Sequence, residues 1–332
     1  MVLVNLAQAG GSRRPGLRTA GEAVILVLPG LVVLFGVLDG LGAAAGRAEP
    51  GAVAYGFGVA LAGALAGAAG TPMVVSALAS RLPIDPDNLV HRLALVLTVG
   101  LVALQAVTQL TTDVLGAEAA GAPLTRLDLV VQEVPFLLAA LVGVGLWTRR
   151  SPAGTVARLG LAVPRPWQLV VALAAAGAFY AFGVGADALD HWLTPALAQR
   201  VNAANLRIFG GLSDPVGIAT IALAAGICEE VFFRGALQPR LGLFWPAMVF
   251  ASVHTQYGLS LDALAVLVLA LGLGLLRRFT NTTTTALCHV AYNGLVGAGI
   301  GWLGLPQAVL VEVVLLLGAI LTTWVGKRGG RN

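Results

Sequence analysis

The sequence is short of charge. Only 11% of its 332 residues are Asp, Glu, Lys or Arg, against about a quarter in an ordinary soluble domain. That is too little to cover a water-facing surface, so a soluble enzyme, a nucleic-acid binder and a disordered scaffold are all excluded. Lysine is nearly absent, with Lys327 alone. The two cysteines, Cys228 and Cys288, lie in apolar segments without C-x-x-C spacing, which argues against a secreted disulfide framework or a cysteine zinc site. There is no G-x-S-x-G elbow, P-loop, H-E-x-x-H or H-x-x-E-H, no pair of membrane aspartates, and no internal repeat. Hydrophobic residues make up the bulk, at 58% with 43 glycines and a mean hydropathy of +0.87. The chain reads as an all-α, polytopic transmembrane bundle in a cell membrane. Its net charge of +4 comes from arginines scattered through short loops, a topogenic pattern and not a nucleic-acid patch.

Ten apolar segments are expected to span the bilayer: 22–45, 52–79, 93–110, 128–147, 167–188, 216–237, 243–258, 260–276, 281–300 and 306–326. A span needs about 20 residues, so the seventh and eighth are short. The basic start (Arg13, Arg14, Arg18) resembles a signal-peptide n-region, but the apolar run after it is too long, and it is read as a retained first helix. Placing the N-terminus in the cytosol puts 15 basic residues inside and 4 outside (Arg47, Arg126, Arg200, Arg207); both termini are therefore expected to be cytosolic. The expected division is a cytosolic tail (1–21), accessory spans 1–4 (22–147), a basic cytosolic linker (148–166), a core (167–326) and a second tail (327–332). Gly63 and Gly67 form a small-xxx-small packing pair. The connection 189–213, with Leu193, Leu197, Val201, Ala204 and Leu206, is expected to carry an amphipathic helix at the interface.

Ionisable groups then recur where lipid makes them costly. A lone charge near the bilayer centre costs roughly 2.5–3.5 kcal/mol on insertion scales. The sixth segment holds Glu229, Glu230 and Arg234, the seventh His254, and the ninth His289 and Asn293. Counted from the cytosolic ends at about 1.5 Å per residue, they fall roughly 14–17 Å deep, in one layer. Glu230 and Arg234 are four apart and share a helix face, so they can neutralise each other, and Glu229 is turned away from them. His289 and Asn293 share a face in the same way. Asp39, Glu133, Asp262 and Glu312 also lie in or near spans; they are read as boundary or packing groups, with Glu133 able to face the bundle along an access path.

Such a set can hydrolyse a peptide bond. A carboxylate in a low-dielectric cavity is a competent general base, which suits Glu229, with His254 orienting the water or shuttling its proton. His289 and Asn293 can donate to an oxyanion. Zinc held by Glu229, His254 and His289 is a second possibility, although it leaves Asn293 idle; no cofactor is otherwise expected. Ser252 is placed to point away from His254, and Cys228 and Cys288 to face away from the Glu229 and His289 that they precede. A non-enzymatic transporter or immunity partner is the rival class, since buried charges also gate protons.

At these residues the sequence resembles the CAAX-protease and bacteriocin-processing (Abi) family of intramembrane glutamic endopeptidases. The resemblance rests on three motifs in order: Glu229-Glu230-Val231-Phe232-Phe233-Arg234-Gly235, then Phe250 with His254, then His289 with Asn293. It is strong over about 222–297 and hydropathic only over 167–326. It implies a CAAX-protease-like core in which Glu229 and His254 activate water without a bound metal, His289 and Asn293 stabilise the oxyanion, and Glu230, Arg234 and Phe250 support them. Pro246 departs from the small polar residue usual in the family, and is expected to bend the seventh span. Eukaryotic members trim prenylated proteins, and many bacterial ones are linked to bacteriocin maturation or immunity. The Ala-, Gly- and Arg-rich composition suggests a GC-rich bacterial gene, so the expected substrate is a membrane-associated or lipidated peptide or protein.

Overall fold

The structure, a computed structural model, describes residues 1–46, 50–299 and 305–329. Arg47 and Arg331, used above for orientation, lie outside the described residues. The described chain is helical: α1 (Val2–Gly10), α2 (Pro15–Ala45), α3 (Pro50–Ala69), α4 (Pro72–Ala79), α5 (Leu89–Thr111), α6 (Val114–Ala120), α7 (Arg126–Val144) and α8 (Pro152–Leu159). Then follow α9 (Pro166–Leu193), α10 (Pro195–Phe209), α11 (Pro215–Glu230), α12 (Gln238–Leu241), α13 (Phe244–Val253), α14 (Leu261–Phe279), α15 (Thr282–Ala298) and α16 (Leu305–Gly329).

Six helices among the described residues, not ten, are long and apolar enough to cross a membrane: α2, α3, α5, α7, α9 and the continuous run from α11 through α12. This is a multi-pass membrane protein. Three of the four missing spans have local causes. The seventh segment yields only α13, ten residues long, because the backbone leaves the helix at His254 (φ −85°, ψ 64°) and enters a 3₁₀ turn. Ten residues rise about 15 Å, half a hydrocarbon core. α14 has the length but carries Asp262 in its first turn and Arg277 and Arg278 in its last. α15 has 17 residues and opens on four threonines. For the tenth segment, the apolar stretch of α16 that can be described is Val309–Thr322, and the side chains from Thr323 onward lie outside the described residues.

The long second segment also breaks. Thr71 caps α4 by accepting from the Val74 N–H (3.4 Å), and Pro72 follows at the first helical position. The C-terminal carbonyl this exposes, that of Gly70, accepts two N–H bonds from buried Arg92 (3.1 and 2.9 Å). Arg92, one of the 15 basic residues assigned above to the cytosolic side, is a buried residue of α5 that caps a neighbouring helix. Pro246 falls in the first turn of α13, where its missing N–H has no intrahelical acceptor to lose.

Helices α2 and α3 pack through glycine. A Cβ on Gly36 would lie 2.3 Å from the Ala60 backbone nitrogen, one on Gly56 2.3 Å from that of Gly40, and one on Gly63 2.9 Å from the Pro29 carbonyl oxygen. Gly63 meets its partner as the small-residue spacing suggested, whereas Gly67 makes a looser contact. The amphipathic helix expected in 189–213 is α10. Its Val201 and Ala204 pack on Leu115 of α6 with Leu197, but Leu193 and Leu206 are exposed.

Helices α7 and α11 run parallel. Arg126 and Asp214, at their N-terminal ends, form an ion pair at 2.6 Å, and this hydrogen bond holds the Asp214 carboxyl below its usual range. The core that positions the candidate site is built on α11 and α9: α11 packs on α15 and α7, and α9 on α15, α14 and α16.

The glycine contacts predict an asymmetry. Gly36→Ala should destabilise the folded protein by about 1–3 kcal/mol through overpacking, whereas Gly42→Ala, with nothing within 4 Å of the added methyl, should be neutral. Thermal unfolding in detergent checks both.

Candidate functional site

The site begins with an irregularity in the helix that carries Glu229 and Glu230. Immediately after Glu230 the α-helix widens into a π-helix, Val231–Leu237. Proline explains part of this. Pro239 has no N–H, and its ring excludes the Gly235 carbonyl from the usual bond. That carbonyl accepts instead from Arg158 of α8 (3.0 Å), as does the carbonyl of Ala236 (3.3 Å). Gly235 is glycine for a related reason: a Cβ there would stand 3.0 Å from the Leu159 carbonyl oxygen, where α8 crosses. π-Turns inside α-helices occur often at functional sites.

Arg234 projects from this turn into the interior, 2% exposed. Its Nη1 lies 2.9 Å from Glu230 Oε1, its Nη2 donates to the Ala270 carbonyl of α14 (3.0 Å), and its guanidinium sits 4.6 Å from the Phe250 ring centroid. The ion pair anticipated from the spacing is therefore present and fully buried. It does more than neutralise itself, because Glu230 Oε1 also accepts from His289 Nδ1 at 3.1 Å. A carboxylate can only accept here, so the proton is on Nδ1. The other nitrogen, Nε2, then faces Glu229 Oε2 at 3.9 Å.

Close approach of α15 to α11 makes this possible. A Cβ on Gly226 would lie 2.8 Å from the Val290 backbone nitrogen, so glycine one turn before the glutamates lets the residue beside His289 touch the α11 backbone. Sequence reading passed over Gly226; its only signal is the spacing of four to Glu230.

His254 enters from the other side. It ends α13, and its Nδ1 donates to the Phe250 carbonyl at 2.7 Å, which leaves Nε2 as the free nitrogen. The ring stacks on Phe250 with centroids 4.5 Å apart, and Phe250 lies 5.9 Å from the His289 ring and 5.2 Å from Phe233. Phe250 is thus a spacer, touching both histidines and Arg234. Asn293, one turn beyond His289 on α15, is half-buried, as is His254, whereas Glu229 and His289 are each 5% exposed. The two half-buried members mark the more open side of the cluster. Glu229, Glu230, Arg234, Phe250, His254 and His289 form one cluster; Asn293 shares the helix face but has no side-chain hydrogen bond among the described residues.

Glu133 was read as a boundary or packing group. It is buried, with a carboxyl oxygen lacking a hydrogen-bond partner, and it interacts electrostatically with Glu229 and Cys228. It lies on the same face of α7 as Phe136, whose ring is 5.4 Å from Phe232 and 5.6 Å from Phe233. The other three behave as structural or peripheral groups. Glu312 lies over Gly177 of α9. Asp262 sits beside Asp187 and Asp190. Asp39 borders a cleft of about 700 Å³ with Tyr55, Thr111 and Thr112, away from the histidines. Cys288 packs on Ala172, Ala176 and Leu273. Among the described residues no three His, Cys, Asp or Glu side chains are grouped as metal ligands.

Comparison with known proteins adds one domain-level finding. Residues 211–295 match the family model for type II CAAX prenyl endopeptidase Rce1-like proteins. The chain therefore contains a CAAX-protease-superfamily domain, which holds every site residue expected above; the narrower Abi assignment is not resolved by this match. A 79-residue segment is 37% identical to the uncharacterized protein YpbD of Bacillus subtilis (strain 168), covering 23% of this chain and 41% of that protein; the chain thus spans less than half the length of this relative. No solved structure matches.

The buried pair gives a thermodynamic prediction. Arg234→Met leaves the Glu230 charge without its partner and should cost about 3–5 kcal/mol, while Glu230→Gln with Arg234→Met should recover much of the loss. A double-mutant cycle on thermal unfolding measures this, and additivity would contradict the coupling.

Proposed function

We propose that this protein is an intramembrane endopeptidase that cleaves a membrane-associated or lipidated peptide or protein through water activated by Glu229 and His254. The CAAX-protease-superfamily domain supports peptidase-type activity in general. The observation that carries the finer reading is the facing of Glu229 Oε2 and His289 Nε2 at 3.9 Å, with the far nitrogen of His289 held by Glu230. Glu229 is the only member of the cluster with a carboxyl that is neither ion-paired to arginine nor hydrogen-bonded.

The steps follow from these positions. Glu229 accepts a proton as the water oxygen bonds to the scissile carbonyl carbon. His254 has Nδ1–H committed to the Phe250 carbonyl, so Nε2 is available to orient the water or relay its proton. The carbonyl oxygen gains the negative charge and is met by donors from the α15 face, His289 Nε2–H and the Asn293 amide. Because His289 Nδ1 donates to Glu230, an Nε2–H makes the ring cationic; the Glu229 carboxylate opposite balances that charge before water attacks, and the oxyanion balances it once Glu229 holds the proton. The C–N bond then breaks as the proton held by Glu229 passes to the leaving amine. Glu230, Arg234 and Phe250 position these groups without touching the substrate.

In this proposal both termini face the cytosol and substrate reaches the cluster from its half-buried side. Residues 22–147 act as accessory helices, 148–166 as a basic linker, and 167–326 as the catalytic core between two tails.

Glu229→Gln and His254→Ala should each lower cleavage of a membrane-peptide library by at least about a hundredfold with the melting temperature unchanged. A folded, fully active Glu229→Gln variant contradicts the mechanism. Elemental analysis and chelator treatment of the same preparation decide between this reading and a zinc-dependent use of the same residues.

A further inference from the structure

Five arginines converge at the end of the molecule where α7, α12 and α14 stop and α5 begins. Arg149 and Arg150 follow the left-handed glycine that ends α7, Gly145 (φ 95°). Arg158 closes α8, Arg240 lies in α12, and Arg277 ends α14. They are near enough to repel one another: Arg158 alone feels Arg240, Arg150, Arg277 and Arg149, and burial together with this repulsion pushes it down to about 10.

None of the five has a carboxylate partner among the described residues, although Arg18, Arg126, Arg200 and Arg234 all do. Their contacts are neutral: Arg149 donates to Asn5, Arg150 to the Val144 carbonyl, Arg158 to Gly235 and Ala236, Arg240 to the Pro83 carbonyl, and Arg277 to Thr282. The Nε of Arg240 is buried with no acceptor. Asp85, two residues beyond the Pro83 carbonyl that Arg240 reaches, receives the Asp87 N–H on its carboxylate, and its own N–H goes to His91.

Orientation in the membrane needs basic loops, but it does not need them to meet. Arg13, Arg14, Arg81, Arg165 and Arg278 are exposed, as topogenic residues can be, whereas all five members of the cluster are half-buried. The level is that of lipid headgroups. It coincides with the ends of spanning helices, and the exposed rings of Trp147, Phe244 and Phe279 stand just after α7, at the start of α13 and at the end of α14, the usual position of aromatic residues at a membrane border.

We propose that Arg149, Arg150, Arg158, Arg240 and Arg277 form a binding site for the phosphate of an anionic phospholipid. A phosphodiester supplies the missing negative charge and several acceptors for guanidinium forks. The site is independent of the peptidase reading, but it is joined to the same helix, because Arg158 holds the carbonyls of the π-turn that follows Glu230.

The test uses the full chain in nanodiscs of phosphatidylcholine, with and without phosphatidylglycerol. Native mass spectrometry reads the lipid retained, and thermal unfolding reads its effect. Phosphatidylglycerol should be retained preferentially and raise the melting temperature. Arg150→Gln with Arg240→Gln should lower that retention about tenfold, whereas the exposed pair Arg13→Gln with Arg14→Gln, equal in charge removed, should leave it unchanged. Equal loss in both double variants would show a general surface-charge effect and overturn the site. Inorganic phosphate that stabilises the protein as well as the lipid does would overturn the lipid assignment. Should the cluster variant fail to fold, wild-type protein decides alone: no preference for phosphatidylglycerol over phosphatidylcholine overturns the proposal.

Discussion

An ion pair joined to a histidine in an apolar interior is the constraint around which this protein is arranged. Glu230, Arg234 and His289 come from two helices, and each is at most 5% exposed. Unpaired, any one of them would be expensive to bury. Together they partner one another, with Arg234 ion-paired to Glu230 and Glu230 accepting from His289. The consequence for chemistry is orientation. With Nδ1 fixed, the His289 ring cannot turn, and Nε2 must face Glu229. Phe250 completes the arrangement by lying against Arg234, His254 and His289.

Backbone features at some distance allow the triad to close. Gly226 lets α15 approach α11, Gly235 lets α8 cross the π-turn, and Pro239 with Arg158 accounts for the carbonyls that this turn leaves open. The site therefore depends on helices outside the matched domain. α8 precedes residue 211, and so does α7, which brings the buried carboxyl of Glu133 toward Glu229.

Much of the candidate site could be read from the sequence because charge in a membrane helix is conspicuous. Glu229, Glu230, Arg234, His254 and His289 stand out by residue type alone, and spacing of four gave the Glu230–Arg234 pair directly. What spacing could not give is contact between helices. The bond from His289 to Glu230, the wedge made by Phe250 and the nearness of Glu133 arise from packing. The π-turn was invisible because it follows from Pro239 acting backward on carbonyls that a third element then caps. Span number was overestimated for a similar reason. Hydropathy does not register a backbone that leaves the helix at His254, and it weighs poorly the three charges of α14 or the threonines of α15.

The account rests on Glu230 setting the protonation of His289. Nitrogen-15 NMR of histidine-labelled protein, with His289 assigned by its loss in a His289→Ala variant, observes this directly. The account predicts a proton on Nδ1 of His289 in the wild type and a changed ring-nitrogen pattern in Glu230→Gln. A His289 signal that shows the Nε2–H neutral tautomer, or one unmoved by the Glu230 substitution, would contradict it.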